Sequence, residues 1–110
     1  MFFMTTKEHE DLRTKIREFA ETEVKPIAVM LDKESKFPED AIKKLGKLGM
    51  MGIPFPKKYG GARLDMNSYA VAVEELARVD GGTGVILHAH APLGAWPVFS
   101  SGTAHQKKKW

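Results

Sequence analysis

Apolar residues in the first third of the chain fall at Leu12, Ile16, Phe19, Ala20, Val24, Ile27 and Leu31. Their spacing follows a helical period and gathers them into one stripe. Thr5 and Glu8 stand at the capping-box distance, which predicts a helix start near Thr6. Pro26 lacks an amide hydrogen and crowds the carbonyl of Thr22, yet the stripe keeps phase across it. A kinked helix is therefore predicted rather than two separate ones.

A second helix is predicted from Phe37-Pro38-Glu39-Asp40, with Pro at the first helical position and two acids where the helix dipole favours them. Ile42, Leu45 and Leu48 supply its buried face, Lys43, Lys44 and Lys47 its solvated one, and Gly49 its left-handed cap. Gly46 inside it costs up to about 1 kcal/mol relative to Ala, which predicts a neighbouring element packed close against it. From Met50 to Leu64, Gly52, Pro54, Pro56, Gly60 and Gly61 impose an ordered loop. Asp65 or Asn67 then caps a third helix with Tyr69, Ala70, Val73, Leu76 and Ala77 on one face and Glu74, Glu75 and Arg78 on the other. After Asp80-Gly81-Gly82-Thr83, the stretch Val85 to Ala91 is small and apolar almost all round, so a helix buried on most sides is expected. Pro92 and Pro97 predict a separate short helix over Leu93 to Ser100, ended by Gly102. Thr103 with Gln106 repeats the capping-box spacing and opens a last helix. That helix reaches the final Trp110 without a stop signal, which leads us to expect a longer natural polypeptide.

The pattern thus describes an all-α domain, an orthogonal bundle of about five to six helices with a Gly/Pro-rich ordered loop. Its 110 residues suffice for one modest core. With no cysteine there is no disulfide framework, thiolate metal site or cysteine nucleophile, and a cytoplasmic location is the expectation. No apolar run approaches the roughly 20 residues of a membrane span. Met1-Phe2-Phe3-Met4 lacks the features of a signal peptide. The net charge of +3 equals the contribution of Lys107, Lys108 and Lys109, so it does not argue for nucleic-acid binding.

Candidate chemistry is sparse. Gly82-Thr83-Gly84 follows a helix instead of a strand, lacks a third glycine, and reads as an interhelical turn, not a dinucleotide cradle. His88 and His90 are two apart and diverge on a helix, so they cannot share a metal. His9 and His105 read as solvated, and Glu74 and Glu75 as surface charge whose carboxylates do not converge. The six Met residues read as core fillers. No metal site, catalytic residue or cofactor-binding residue is expected in this chain.

Several stretches, in this order, resemble the N-terminal helical domain of the acyl-CoA dehydrogenase family, most of all its short-chain or butyryl members. They are Leu12-Arg13 to Phe19-Ala20 with Val24-Lys25-Pro26-Ile27-Ala28, Phe37-Pro38, and Leu45-Gly46-Lys47-Leu48-Gly49-Met50-Met51-Gly52-Ile53-Pro54. Lys58-Tyr59-Gly60-Gly61 with Leu64-Asp65, Tyr69 to Ala77, and Thr83-Gly84-Val85 through Gly102-Thr103 to Gln106-Lys107-Lys108 follow. The resemblance implies a parent enzyme in which a glutamate removes the α proton of an acyl-CoA and hydride passes from the β carbon to FAD. It also implies a flavin barrel and a C-terminal helical domain beyond this chain, a homotetramer, and an electron-transfer flavoprotein or another electron acceptor as partner. By the same resemblance, Ile86, Leu87 and His90 line or floor the acyl cavity with Ala91 close by. His90 departs from the small, polar or acidic group of relatives, and a bulky imidazole there would favour short acyl groups. Two readings stay open at this point: part of a flavin-dependent dehydrogenase without activity of its own, or a free-standing helical interaction module.

Overall fold

The computed structural model describes residues 5–110. The opening tetrapeptide lies outside them, and with it the signal-peptide reading and the packing of Met1 and Met4. Among the described residues there is no strand, and the helices join into five rods. The first runs through α1 (Lys7–Phe19), a π-helical segment (Ala20–Val24) and α2 (Lys25–Glu34). The second is α3 (Glu39–Lys47), followed by two short 3₁₀ turns, Met50–Gly52 and Lys57–Tyr59, in the predicted loop. α4 (Met66–Val79) is the third; α5 (Gly81–Ala89), a π-helical segment (His90–Ala95) and α6 (Trp96–Ser101) form the fourth; α7 (Ala104–Lys109) is the last. No helix among the described residues is long and apolar enough to cross a membrane.

The kink predicted at Pro26 is a widened turn. Lys25 donates its N–H five residues back to the Ala20 carbonyl, and Pro26, which has no hydrogen to give Thr22, sits in the first turn of the next α-helical stretch. The same device removes the break expected at Pro92. Trp96 donates to Ala91 across five residues, so Leu93 to Ser100 is not a separate helix but the continuation of α5. Pro92 leaves the His88 carbonyl without its usual partner, and the Tyr69 hydroxyl donates to that oxygen at 2.7 Å. Burial raises the Tyr69 phenol pKa, which keeps this donor protonated.

Caps fall close to their predicted places. Thr6, not Thr5, caps α1, and His9 instead of Glu8 completes its box. Pro38 sits one position before α3. Asp65 caps α4, Asp80 caps α5, and Thr103 with Gln106 makes the predicted box on α7.

The core joins the stripe of the first rod (Ile16, Phe19, Ala20, Val24) to Ala41 and Leu45 of α3, to Tyr69, Ala72 and Leu76 of α4, and to Leu87 and Ala91 of the fourth rod. Met50, Ile53 and Phe55 bring the loop into it. α4 lies at the centre, packed on α1 and α5. Its buried face is rotated from the predicted one: Val71 and Ala72 are buried while Ala70 and Ala77 are exposed. Leu48, expected inside, is 40% exposed because the chain turns away at Gly49.

Two polar residues read as solvated are buried. Glu75 is 1% exposed and accepts from Arg13, Arg17 and Arg78. His9 is 5% exposed, its Nδ1 accepting from the Thr6 N–H while Nε2 meets the Asp65 carboxylate at 2.9 Å. The signal for Glu75 lies on the other helix, where Arg13 and Arg17 stand four apart on one face of α1.

Candidate functional site

The fourth rod divides its sides sharply. Leu87 (0% exposed) and Ala91 (5%) turn into the core beside the fully buried Thr83, whose hydroxyl donates to the capping Asp80 carboxylate. Gly84 is pressed against α4: a Cβ there would lie 2.5 Å from that of Ala77. The opposite side is open. Val85 is 62% exposed, and His88, His90 and Trp96 are exposed as well, so the rod is not buried on most sides as expected. The small, apolar character of Val85 to Ala91 arises from close approach to α4 on one side only.

Along the open side, Gly82, Ile86, His90, Gly94 and Val98 recur every four residues and border two hollows. In a regular α-helix this spacing drifts by about 40° per step. The π-helical segment takes more residues per turn and brings Gly94 and Val98 back in line with His90. Gly82 and Ile86 edge a hollow of about 410 Å³ against Leu31, Lys36, Phe37 and Pro38. His90, Gly94 and Val98 edge a half-open one of about 450 Å³, bordered by the α3 end, the Met50–Leu64 loop, and Lys107 and Trp110 at the end of the chain.

Of the four residues expected at a cavity, Ile86 and His90 therefore face open space, each at a different hollow, while Leu87 and Ala91 hold the rod to the core. The larger hollow also has walls that the sequence reading did not assign. Phe55, Tyr59 and Phe99 line it, with Phe55 and Phe99 edge to face at 5.6 Å between ring centres and Tyr59 and Phe99 at 6.2 Å. Gly46 lines it as well, and nothing lies within 4 Å of where its Cβ would be. The close neighbour expected at Gly46 is absent, and its lack of a side chain leaves room in the hollow instead. The gaps of four between Phe55 and Tyr59 and between Gly94 and Val98 are visible in the sequence, but only the fold brings the two stretches face to face.

The described residues contain no group of three or more His, Cys, Asp or Glu side chains that could hold a metal ion. Gly82-Thr83-Gly84 is not the interhelical turn expected: it lies in the first turn of α5, with Gly84 against Ala77.

Comparison with known proteins gives this arrangement a context. Residues 6–110 match the family model of the acyl-CoA dehydrogenase N-terminal domain. The short-chain specific acyl-CoA dehydrogenase of Clostridium acetobutylicum is 54% identical over 110 residues, all of this chain and 29% of that protein. The solved butyryl-CoA dehydrogenase of Megasphaera elsdenii superposes with a TM-score of 0.89 at 34% identity, over 100% of this chain and 30% of that one. A glutaryl-CoA dehydrogenase of Mycobacterium smegmatis, solved with FADH2, gives a TM-score of 0.90 at 25% identity, over 96% of this chain and 27% of that one. The chain thus spans less than a third of the length of these relatives, and it belongs to the acyl-CoA dehydrogenase family, whose N-terminal helical domain it matches from end to end of the described fold.

Proposed function

We propose that this chain is the N-terminal part of an FAD-dependent enzyme that introduces a double bond between the α and β carbons of a short-chain acyl-CoA. It contributes to the wall of the acyl cavity through Ile86 and His90, with Leu87 and Ala91 anchoring them to the core. The observation that supports this reading is the two-sided rod: Leu87 and Ala91 fix it to the core, and Ile86 and His90 stand out from it over hollows. Buried residues on one side position the exposed ones on the other, as a binding wall requires.

In this reading the chain has no catalysis of its own. The proton-abstracting carboxylate and the flavin site belong to the rest of a cytoplasmic, homotetrameric parent that delivers electrons to an electron-transfer flavoprotein. Glu75 cannot be the base, because all its hydrogen-bonding capacity goes to arginines.

His90 sets the depth of the cavity. In the dehydrogenase that carries this domain, His90→Gly raises the ratio of kcat/KM for octanoyl-CoA over butyryl-CoA, since each methylene newly buried contributes roughly 1 kcal/mol. An unchanged ratio rejects the assignment of His90 to the cavity.

A further inference from the structure

Pro92 puts a fault in the fourth rod. It has no N–H to offer the His88 carbonyl, and its ring crowds that oxygen in a regular turn. The widened segment His90–Ala95 relieves the crowding, but π-helical turns are rare, so this one calls for a group that holds it. That group comes from another helix. The hydroxyl of Tyr69, a residue only 8% exposed, donates to the His88 carbonyl at 2.7 Å and lies 3.3 Å from that of Leu87. In the first rod, by contrast, Pro26 follows a widened turn at an exposed Thr22, whose carbonyl water can serve. Tyr69 borders neither hollow, yet the turn it holds begins at His90. Without the widening, Gly94 and Val98 would drift from the line of His90 by about 40° per step of four residues. In the widened turn the imidazole lies over Gly94: a Cβ there would stand 3.6 Å from Nδ1.

We infer that Tyr69 is a positioning residue for the candidate site: with Pro92 it fixes the register in which His90, Gly94 and Val98 share one edge of the larger hollow. The proline excludes the regular turn, and the phenol hydroxyl satisfies the carbonyl that the proline orphans. Neither residue has the same effect without the other. The inference rests on the acyl-cavity reading above for what the register serves, and adds to it a residue that lines no hollow. Its own content is a coupling between two side chains, which is measured without substrate or flavin.

The test compares the 110-residue chain with its Tyr69→Phe, Pro92→Ala and doubly substituted variants, all labelled with ¹⁵N-glycine and ¹³C-histidine. Tyr69→Phe keeps the ring and removes only the donor, while Pro92→Ala brings back an N–H for the His88 carbonyl. In urea unfolding, Tyr69→Phe lowers the folding constant about tenfold in the parent chain and at most about threefold in Pro92→Ala, where an amide serves the carbonyl instead. The Gly94 amide and His90 ring signals move in both single variants, and those of Gly81 and Gly82, at the start of α5, stay in place. A tyrosine that merely fills the core gives equal losses in the two backgrounds and leaves the Gly94 and His90 signals where they were; either result overturns the inference. Should Tyr69→Phe not fold, the double variant decides. Folding restored by Pro92→Ala upholds the coupling. A double variant that stays unfolded, or an equal rescue by Gly46→Ala, whose new Cβ meets nothing within 4 Å, overturns it. Failure here leaves the dehydrogenase reading standing, and an unchanged octanoyl to butyryl ratio would remove His90 from the cavity without touching the coupling.

Discussion

The Arg17 guanidinium grips the buried Glu75 carboxylate with two parallel hydrogen bonds, Nε to Oε2 and Nη2 to Oε1, each 2.9 Å. Arg13 adds a third at 2.8 Å, so α1 and α4 are fastened through one carboxylate in the layer that supports the fourth rod. Removing the charge leaves three arginine heads around a neutral group. Glu75→Gln is expected to destabilise the fold by about 3 kcal/mol, at the low end for a broken buried pair because Arg17 can still reach water. Glu74→Gln, at an exposed carboxylate paired only with Arg13, should cost about 0.5 kcal/mol or less. Urea unfolding of both variants checks the contrast, and equal losses would refute the buried role of Glu75.

Acid should act on the same place. Arg17, with Arg13, holds Glu75 at a pKa of about 2 against its burial, and the Ser68 amide and His9 hold Asp65 at about 2. Unfolding returns both to ordinary values of 4.5 and 3.8. Between those limits the unfolded chain binds more protons than the folded one, so stability rises with pH. Their contribution is complete above about pH 5 and lost as pH falls towards 2. The urea midpoint is expected to drop across that window, and less steeply in Glu75→Gln. A slope unaltered by that substitution would rule Glu75 out as a source of the acid sensitivity.

Two glycines make an opposed pair. At Gly84 an added Cβ meets Ala77 at 2.5 Å, and its backbone at 2.7 and 2.9 Å, so Gly84→Ala must push α5 off α4. A loss of about 1–3 kcal/mol is expected. At Gly46 the same atom meets nothing, and Gly46→Ala should gain about 0.5–1 kcal/mol from helix propensity and a less flexible unfolded chain. Thermal melts of the two variants should move in opposite directions.

These positions show what a linear sequence can convey. The stripe from Leu12 to Leu31, the loop at Met50 to Leu64 and a helix start at Asp65 or Asn67 were legible because period, turn residues and caps act within a few residues of one another. The sequence places Gly46 inside a helix and Gly84 in a turn, whereas Gly46 stands near the end of α3 and Gly84 lies within α5, where only the approach of α4 explains it. Glu75 could not be distinguished from Glu74 on α4 alone, since its partners Arg13 and Arg17 sit on another helix. Pro92 looked like a break because a widened turn and the Tyr69 hydroxyl, distant in sequence, together satisfy what proline leaves unpaired. Of the site, Ile86 and His90 were found at hollows, while the aromatic wall opposite depends on the path of the loop.

The box at the start of α1 offers a last separation of local from tertiary effects. His9 accepts the Thr6 N–H at Nδ1, which leaves Nε2 to carry the hydrogen donated to Asp65, the residue that caps α4. One ring thus closes the first turn of α1 and ties it to the first turn of α4. His9→Ala loses both functions and should cost about 2 kcal/mol, with faster amide exchange at Thr6 and its neighbours. His9→Gln restores the usual Thr-x-x-Gln box but is too short to reproduce the bond to Asp65 in the same geometry. It should therefore recover about half of the lost stability, and most of the protection at Thr6. A glutamine variant no better than alanine would mean that the link to α4 carries the whole effect; one equal to the parent chain would mean that the local cap does.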